Sequence, residues 1–249
     1  TFAMISVAII SGAIADRARF APWLFFVPLW VTLVYAPVAF WVWGGGLLSA
    51  DGFLGSIFGE AIDFAGGAVV HTNAGIAALV LALKLGQRHN FHDRPQPHNT
   101  PLVMLGAGLL WFGWFGFNAG AATTVEQAGL IWVNTLAAPG AAVLGWILVE
   151  KLRGSRPTSV GVASGLVAGL VAITPSCADV APWAAMLLGV MAGAGAAWAV
   201  NLKWKLGYDD SLDVVGVHLV AGLIGTLFLG FFALPPEESA GGLFYGGGV

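Results

Sequence analysis

The stretch DFAGGAVVH, residues 63–71, returns as DSLDVVGVH at residues 210–218. Each string opens on an aspartate and closes on a histidine eight residues later, within an apolar surrounding. Eight residues are roughly 12 Å of helix. An aspartate at a membrane surface would therefore set its histidine near mid-membrane. Ionisable groups at that depth are costly and are kept for function.

The flanking sequence supports that setting. Mean hydropathy is +0.84, with 58% hydrophobic and 9% charged residues, whereas a soluble domain carries about 25% charge. Spanning takes roughly 20 apolar residues. Eight runs are candidates: 1–15, 20–43, 63–85, 100–120, 126–150, 158–176, 180–203 and 211–233. The ten bases follow the first run (Arg17, Arg19), the third (Lys84, Arg88, Arg94), the fifth (Lys151, Arg153, Arg156) and the seventh (Lys203, Lys205). The alternate loops hold Asp51, Glu60, Glu126, Asp179, Glu237 and Glu238 but no base. Basic loops stay cytoplasmic, so the pattern predicts an all-α, polytopic protein of the plasma membrane, with the base-free loops outside. Residues 1–249 read as one transmembrane domain, an internal piece of a longer protein whose N- and C-terminal parts are missing.

The two Asp-to-His strings then lie on the third and eighth helices, which run in opposite directions. That is the mark of an inverted repeat, with a site expected at the repeat interface near the midplane. His71 and His218 are expected to meet there. Asp63 and Asp210 each open a helix, where a carboxylate caps free N–H groups and favours the positive end of the dipole. Asp63 can also lend negative potential to the outer mouth. Asp213 either faces solvent or packs on a neighbouring helix.

Other features carry bland expectations. Pro28, Pro37 and Pro139 lie within spans and are expected to kink them. Gly161, Gly165 and Gly169, with Gly189 and Gly193, form small faces for close helix packing. Cys177 permits no internal disulfide and is expected to be buried near a helix end. The loop 84–99, with His89, His92, Asp93 and His98, reads as a solvated loop rather than a metal site, and the tail 240–249 as flexible. Trp23, Trp41, Trp132, Trp183 and Trp204 suit an interfacial belt. Bases this few and dispersed do not make a nucleic-acid surface. No nucleophile, metal cluster or phosphate loop supports an enzyme, and no cofactor is expected.

Trp43, Phe2 and Phe117 stand apart because all three fall in the outer half, above the histidines. Aromatic faces attract cations by up to about 2 kcal/mol when desolvated. Aromatics over a neutral, histidine-lined passage suit a small cation that must shed water or a proton.

These residues lie in motifs that resemble those of the ammonium transporter family (Amt/Mep/Rh): DFAGGAVVHTNAG at 63–75, WFGWFGFNAG at 111–120, FWVWGGGLL at 40–48, DDSLDVVGVH at 209–218 and TFAMISVAIISGAIADR at 1–17. The chain looks like helices three to ten of that family's eleven, and Trp43 with the FNAG stretch is more similar to the Amt branch than to the Rh gas channels. The resemblance implies a homotrimer with one pore per subunit and a cytoplasmic PII-type signal protein as a partner. It implies that Trp43 and Phe2 form an outer recruitment site and that Phe2 and Phe117 form a gate. His71 and His218 would be the twin pore histidines, Trp114 would line the pore beside them, and Asp63 would be the buried carboxylate supporting recruitment. Where many bacterial members carry a serine, four residues after the gate phenylalanine, this chain has Ala121, one hydroxyl acceptor fewer for ammonium. The function implied is ammonium uptake, in which ammonia crosses a hydrophobic pore. A sensor signalling to a cytoplasmic partner and a neutral gas channel are the alternatives.

Overall fold

The computed structural model describes residues 1–93, 97–235 and 241–247, so Arg94, Glu237 and Glu238 lie outside the described residues. Helices form where the apolar runs lie. Those on the runs are α1 Phe2–Ala13, α2 Phe20–Trp43, α3 Gly67–Leu85, α4 Thr100–Ala119, α5 Val125–Leu152, α6 Ser159–Ile173, α7 Pro182–Leu206 and α8 Val215–Phe232, and a single helical turn, Gly55–Phe58, lies between α2 and α3. Among the described residues, six are long and apolar enough to cross a membrane, while α1 and α6, with 12 and 15 residues, are shorter. The end of α6 has a local cause. Thr174 keeps helical dihedrals, but Pro175 has no N–H to donate to the preceding turn, and the carbonyls of Thr174 and Pro175 accept the N–H groups of Ala65 and Phe64 at 3.2 and 3.0 Å.

Side chains start several helices. Asn99, Thr124 and Thr158 accept the N–H groups of Leu102, Gln127 and Gly161 at 3.1, 3.1 and 2.9 Å, each filling one orphan donor of a first turn. In α2, Pro28 and Pro37 flank a π-helical stretch, Val31–Tyr35. A proline removes a donor and crowds the preceding turn, and a wider turn absorbs the misfit. Pro139 has no such effect, and α5 stays α-helical through it.

The glycine faces of α6 and α7 close on one stripe of α5. A methyl group on Gly169 would run into Pro139 and Ala142, one on Gly165 into Trp146, and one on Gly189 or Gly193 into the backbone of Ala138 or Ala142. Such contacts let backbones approach closely where no hydrophobic effect drives helices together. Asn134, fully buried in α5, donates to the carbonyls of Cys177 and Val180 at 2.9 and 2.8 Å. Cys177 is buried in that turn, as expected.

All four base-bearing connections gather at one end. Arg88 grips Asp209 with its Nη2 at 2.8 Å and its Nε at 2.9 Å, and reaches Asp16 at 3.1 Å. Arg17 donates to Ser211 Oγ at 3.0 Å and to the Asp209 carbonyl. Arg153 donates to the carbonyl of Ala197 at 3.0 Å, near the end of α7. Burial alone would raise the Asp209 carboxyl, but the Arg88 hydrogen bonds outweigh it and hold the carboxyl below the usual range. At the opposite end, the residues before α3 meet the turn after α6, and the Leu234 N–H reaches the Asp179 carbonyl at 2.7 Å.

Two sequence expectations need correction. The loop after α3 is not merely solvated: Phe91 is 2% exposed and stacks on Trp204 at 4.9 Å, so Trp204 packs on protein as well. The tail is ordered over 241–247. Leu243–Tyr245 forms a helical turn and Phe244 packs on Phe232 at 4.9 Å, while residues 240, 248 and 249 lie outside the described residues. Asp213 takes the second of the two settings left open for it: its partly exposed carboxylate packs on the neighbouring helix α7 and meets Lys203 Nζ at 2.6 Å.

Candidate functional site

Asp63 organises the start of α3. Its Oδ1 accepts the N–H groups of Gly66 and Gly67 at 3.0 and 2.6 Å, and its Oδ2 those of Ala68 and Val69 at 3.0 and 2.9 Å. A single side chain thus serves as many donors as a helix start leaves free. Gly66 turns the chain into the helix at φ +105, a conformation that favours glycine. The first turns, Gly67–Thr72, are π-helical and carry His71.

The same construction returns at α8. Asp210 Oδ2 accepts the Val215 N–H at 2.7 Å. Asp213, which aligns with Gly66, has a φ of +61. The first turns, Val215–Val220, are again π-helical and carry His218. π turns are rare and often mark functional sites.

The two histidines meet inside the bundle. Their Nδ1 atoms stand 3.2 Å apart and their rings stack with centroids at 5.3 Å. One Nδ1 must donate and the other accept, so the pair holds one proton between two neutral rings. His71 is fully buried, and its Nε2 has no hydrogen-bond partner among the described residues. Trp114 also stacks on His71, with ring centroids 5.4 Å apart, and its indole N–H is fixed by Thr174 Oγ1 at 2.9 Å.

The crossing of α3 and α8 repeats too. Gly75, four residues after His71, lies against the backbone and Cβ of Leu219, the residue next to His218. Gly222, four residues after His218, lies against Thr72, the residue next to His71. The sequence signal for this crossing is His-x-x-Ala-Gly, at 71–75 and again at 218–222, which lies beyond the Asp-to-His strings and extends the repeat past the histidines. Thr174 has no such signal, since nothing in sequence links it to Trp114.

From the histidines an aromatic column leads to the base-free end. Phe117 lies 6.3 Å from His71, Phe2 lies 4.4 Å from Phe117, and Trp43 lies 5.7 Å from Phe2, all between ring centroids. The Trp43 indole donates to the Asp63 carbonyl at 2.7 Å, which fixes the ring against the cap of α3. Phe2, Phe117 and Ala121 line an open cavity of about 390 Å³ together with Gly113, Gly116 and Gly120. Trp43 touches Phe2 but does not line that cavity. Seven of the eight sequence-selected residues therefore join this column and its open cavity, and the eighth, Asp63, stands beside it as the cap of α3.

Comparison with known proteins identifies the family. The family model described as Ammonium Transporter Family matches residues 1–249. An ammonium transporter of Mycobacterium tuberculosis is 55% identical over 262 residues, covering 99% of this chain and 54% of that protein. One of Bacillus subtilis is 49% identical, covering 99% and 60%. Among solved structures, Candida albicans Mep2 superposes with a TM-score of 0.89 at 36% identity over 98% of this chain and 55% of its own. A sensor Amt protein does so at 0.83 and 35%, over 94% and 59%. The chain spans about half the length of the curated relatives it matches. A match along every residue, joined to a shared helical fold, gives the paired histidines their context: this chain is a multi-pass membrane protein and belongs to the ammonium transporter family.

Proposed function

We propose that this chain forms the conducting core of an ammonium transporter, one of a family of transporters rather than enzymes. Ammonium is recruited from the base-free side by the faces of Trp43 and Phe2, passes the Phe2–Phe117 gate, loses a proton, and crosses as ammonia beside His71 and His218. The observation that carries the reading is the part-buried Nδ1–Nδ1 contact of 3.2 Å below a column of aromatic rings. No described carboxylate side chain contacts the pair, and an unpaired cation at mid-membrane costs several kcal/mol. A neutral molecule exchanging hydrogen bonds with the imidazoles avoids that cost. The pair can also relay the released proton. Potassium binds aromatic faces but has no proton to lose, so the passage rejects it.

The base-bearing end faces the cytoplasm in this reading, the subunits assemble as a trimer, and a PII-type protein docks on the cytoplasmic side. Asp63 acts through the α3 cap, and its potential at the mouth is a secondary aid. In the full-length protein, His71→Ala and His218→Ala should each abolish ammonium uptake or admit potassium, read as flux and current together. Selective uptake by both variants sinks the reading. The likeness to a sensor Amt protein favours one second reading, a sensor; robust ammonium flux through the full-length protein excludes a purely sensory role.

A further inference from the structure

The polar contacts that hold α4 to the bundle surround Trp114. Of the 20 residues of α4, the buried ones are Ala107, Trp114 and Asn118. Trp111, three residues before Trp114, donates its indole N–H to the Thr135 carbonyl at 3.1 Å. Asn118, four residues after it, donates its amide to Thr135 Oγ1 at 3.0 Å. Positions three and four apart share a helix face, so Thr135 of α5 pins α4 on both sides of Trp114. The ring itself is held from a third element. Thr174, in the turn that closes α6, accepts the Trp114 N–H on Oγ1 at 2.9 Å and donates its hydroxyl proton to the Leu170 carbonyl at 2.7 Å. A hydroxyl has one proton, and giving it to Leu170 leaves a lone pair for the indole.

Thr174 also acts through its backbone. Its carbonyl accepts the Ala65 N–H at 3.2 Å, two residues after Asp63, whose carboxylate caps α3. Asn134, beside Thr135, holds the same turn through the carbonyls of Cys177 and Val180. His71 is therefore set twice by one residue: by the entry into its helix, and by the indole that stacks on it at 5.4 Å. Asn118, Thr135 and Thr174 are all fully buried. Hydrogen bonds between membrane helices each contribute little to stability, so the orientation these groups impose accounts for them better than cohesion does.

On the transport reading above, we propose that Thr174 is a positioning residue for ammonia passage. Its hydroxyl sets the plane of Trp114 and its carbonyl the entry into α3, and together they fix the His71 ring, whose Nε2 has no partner among the described residues. Without the hydroxyl, the indole N–H is a buried donor with no water to turn to, and the ring swings toward another acceptor, off the histidine. The test is Thr174→Val, close in shape but without the hydroxyl, in the full-length protein reconstituted in liposomes. Small misplacements at a reacting centre cost up to about a hundredfold. Maximal ammonium flux per folded molecule should fall about tenfold, with half-saturation unchanged because Trp43 and Phe2 are untouched. Thr174→Ser, which keeps the hydroxyl, should transport like wild type. Wild-type flux in Thr174→Val, or the valine's loss repeated in Thr174→Ser, overturns the proposal. A raised half-saturation at full maximal flux also overturns it, since that places Thr174 in recruitment. A solved structure of Thr174→Val gives a readout independent of transport. The Trp114 ring should leave its stack on His71, and an unmoved ring overturns the proposal even where flux falls. Where the valine variant does not fold, Trp114→Phe, which keeps a ring and loses the N–H, takes its place; wild-type flux and an unmoved ring in that variant overturn the proposal. A wild type that carries no ammonium sinks the transport reading instead, and the variant's structure still decides what holds the ring.

Discussion

The first turns of α3 and of α8 solve one problem in two chemical ways. Both must start a helix in which a histidine follows an aspartate by eight residues. At α3 the Asp63 carboxylate meets only backbone, and four N–H groups satisfy it. At α8, Asp210 accepts from Val215 while its Oδ1 is buried without a partner among the described residues. Charged side chains complete that second helix start. Lys203 donates to the Asp210 carbonyl at 2.8 Å and pairs with Asp213, and Arg88 holds Asp209. Burial pushes the Asp210 carboxyl up to about 6, and the neighbouring Asp213 adds to that shift. One end of the repeat is held by dipoles and the other by ions.

That contrast can be broken by experiment. The largest effect is expected from Arg88→Ala, which leaves the fully buried Asp209 with the longer Arg17 contact and one backbone N–H; breaking a buried pair typically costs about 3–5 kcal/mol, and these remaining partners put the loss at the low end. The full-length protein should show a markedly lower thermal midpoint by intrinsic fluorescence. Because Asp209 is held below its usual range, the pair's contribution is present above the ordinary carboxylate pKa and is lost as pH falls through the depressed value. A wild-type-like midpoint at neutral pH would remove ions from the account of that end. Next, Asp63→Ala should destabilise by about 2 kcal/mol, the upper range for a lost cap, and clearly more than Asp210→Ala in the same melt. Equal losses would erase the distinction between the dipole-held and the ion-held helix start.

The crossing sharpens the comparison further. Gly75 faces backbone atoms of Leu219, which cannot move aside, whereas a methyl on Gly222 meets first the Thr72 hydroxyl. Overpacking costs about 1–3 kcal/mol, so Gly75→Ala should impair stability and uptake more than Gly222→Ala does. Adding Thr72→Ala should rescue only the latter. Rescue that fails for Gly222→Ala would show that its clash lies with backbone after all. The smallest effect concerns the aromatic end. Ala121→Ser restores one acceptor in the cavity shared with Phe2 and Phe117, and a hydrogen bond to a charged group is worth about 1.5–3 kcal/mol, less where water substitutes. Half-saturation for ammonium should fall several-fold with selectivity over potassium unchanged. An unmoved half-saturation means that water already fills the role.

Much of this was legible in the chain because membrane helices write themselves in composition. The apolar runs foreshadowed every long helix, and the alternating bases foreshadowed the single end at which Arg17, Arg88, Arg153 and Lys203 gather. The repeated Asp-to-His spacing foreshadowed the contact between His71 and His218. What stayed hidden depends on register or distant contact. Apolar letters do not say whether a carbonyl accepts from the fourth or the fifth residue on, so the π turns at both histidines were invisible. Trp114 and Thr174 belong to different helices, and only folding brings them together. The loop with Phe91 and the tail with Phe244 looked loose because their single anchoring rings resemble any other exposed aromatic.

The π turns also explain a constancy that spans the two strings. Between aspartate and histidine, FAGGAVV and SLDVVGV agree only at Val70 and Val217, yet the count of residues is the same. A helix is a screw, and each residue turns it by about 100°. The cap fixes the angular phase at one end, while the partner helix fixes the phase of the histidine at the other, and the wider turn absorbs the mismatch between them. Losing or gaining one residue would rotate the imidazole out of the stack it shares with its partner. Natural variation in these two segments is therefore expected to alter letters freely while tolerating neither insertion nor deletion.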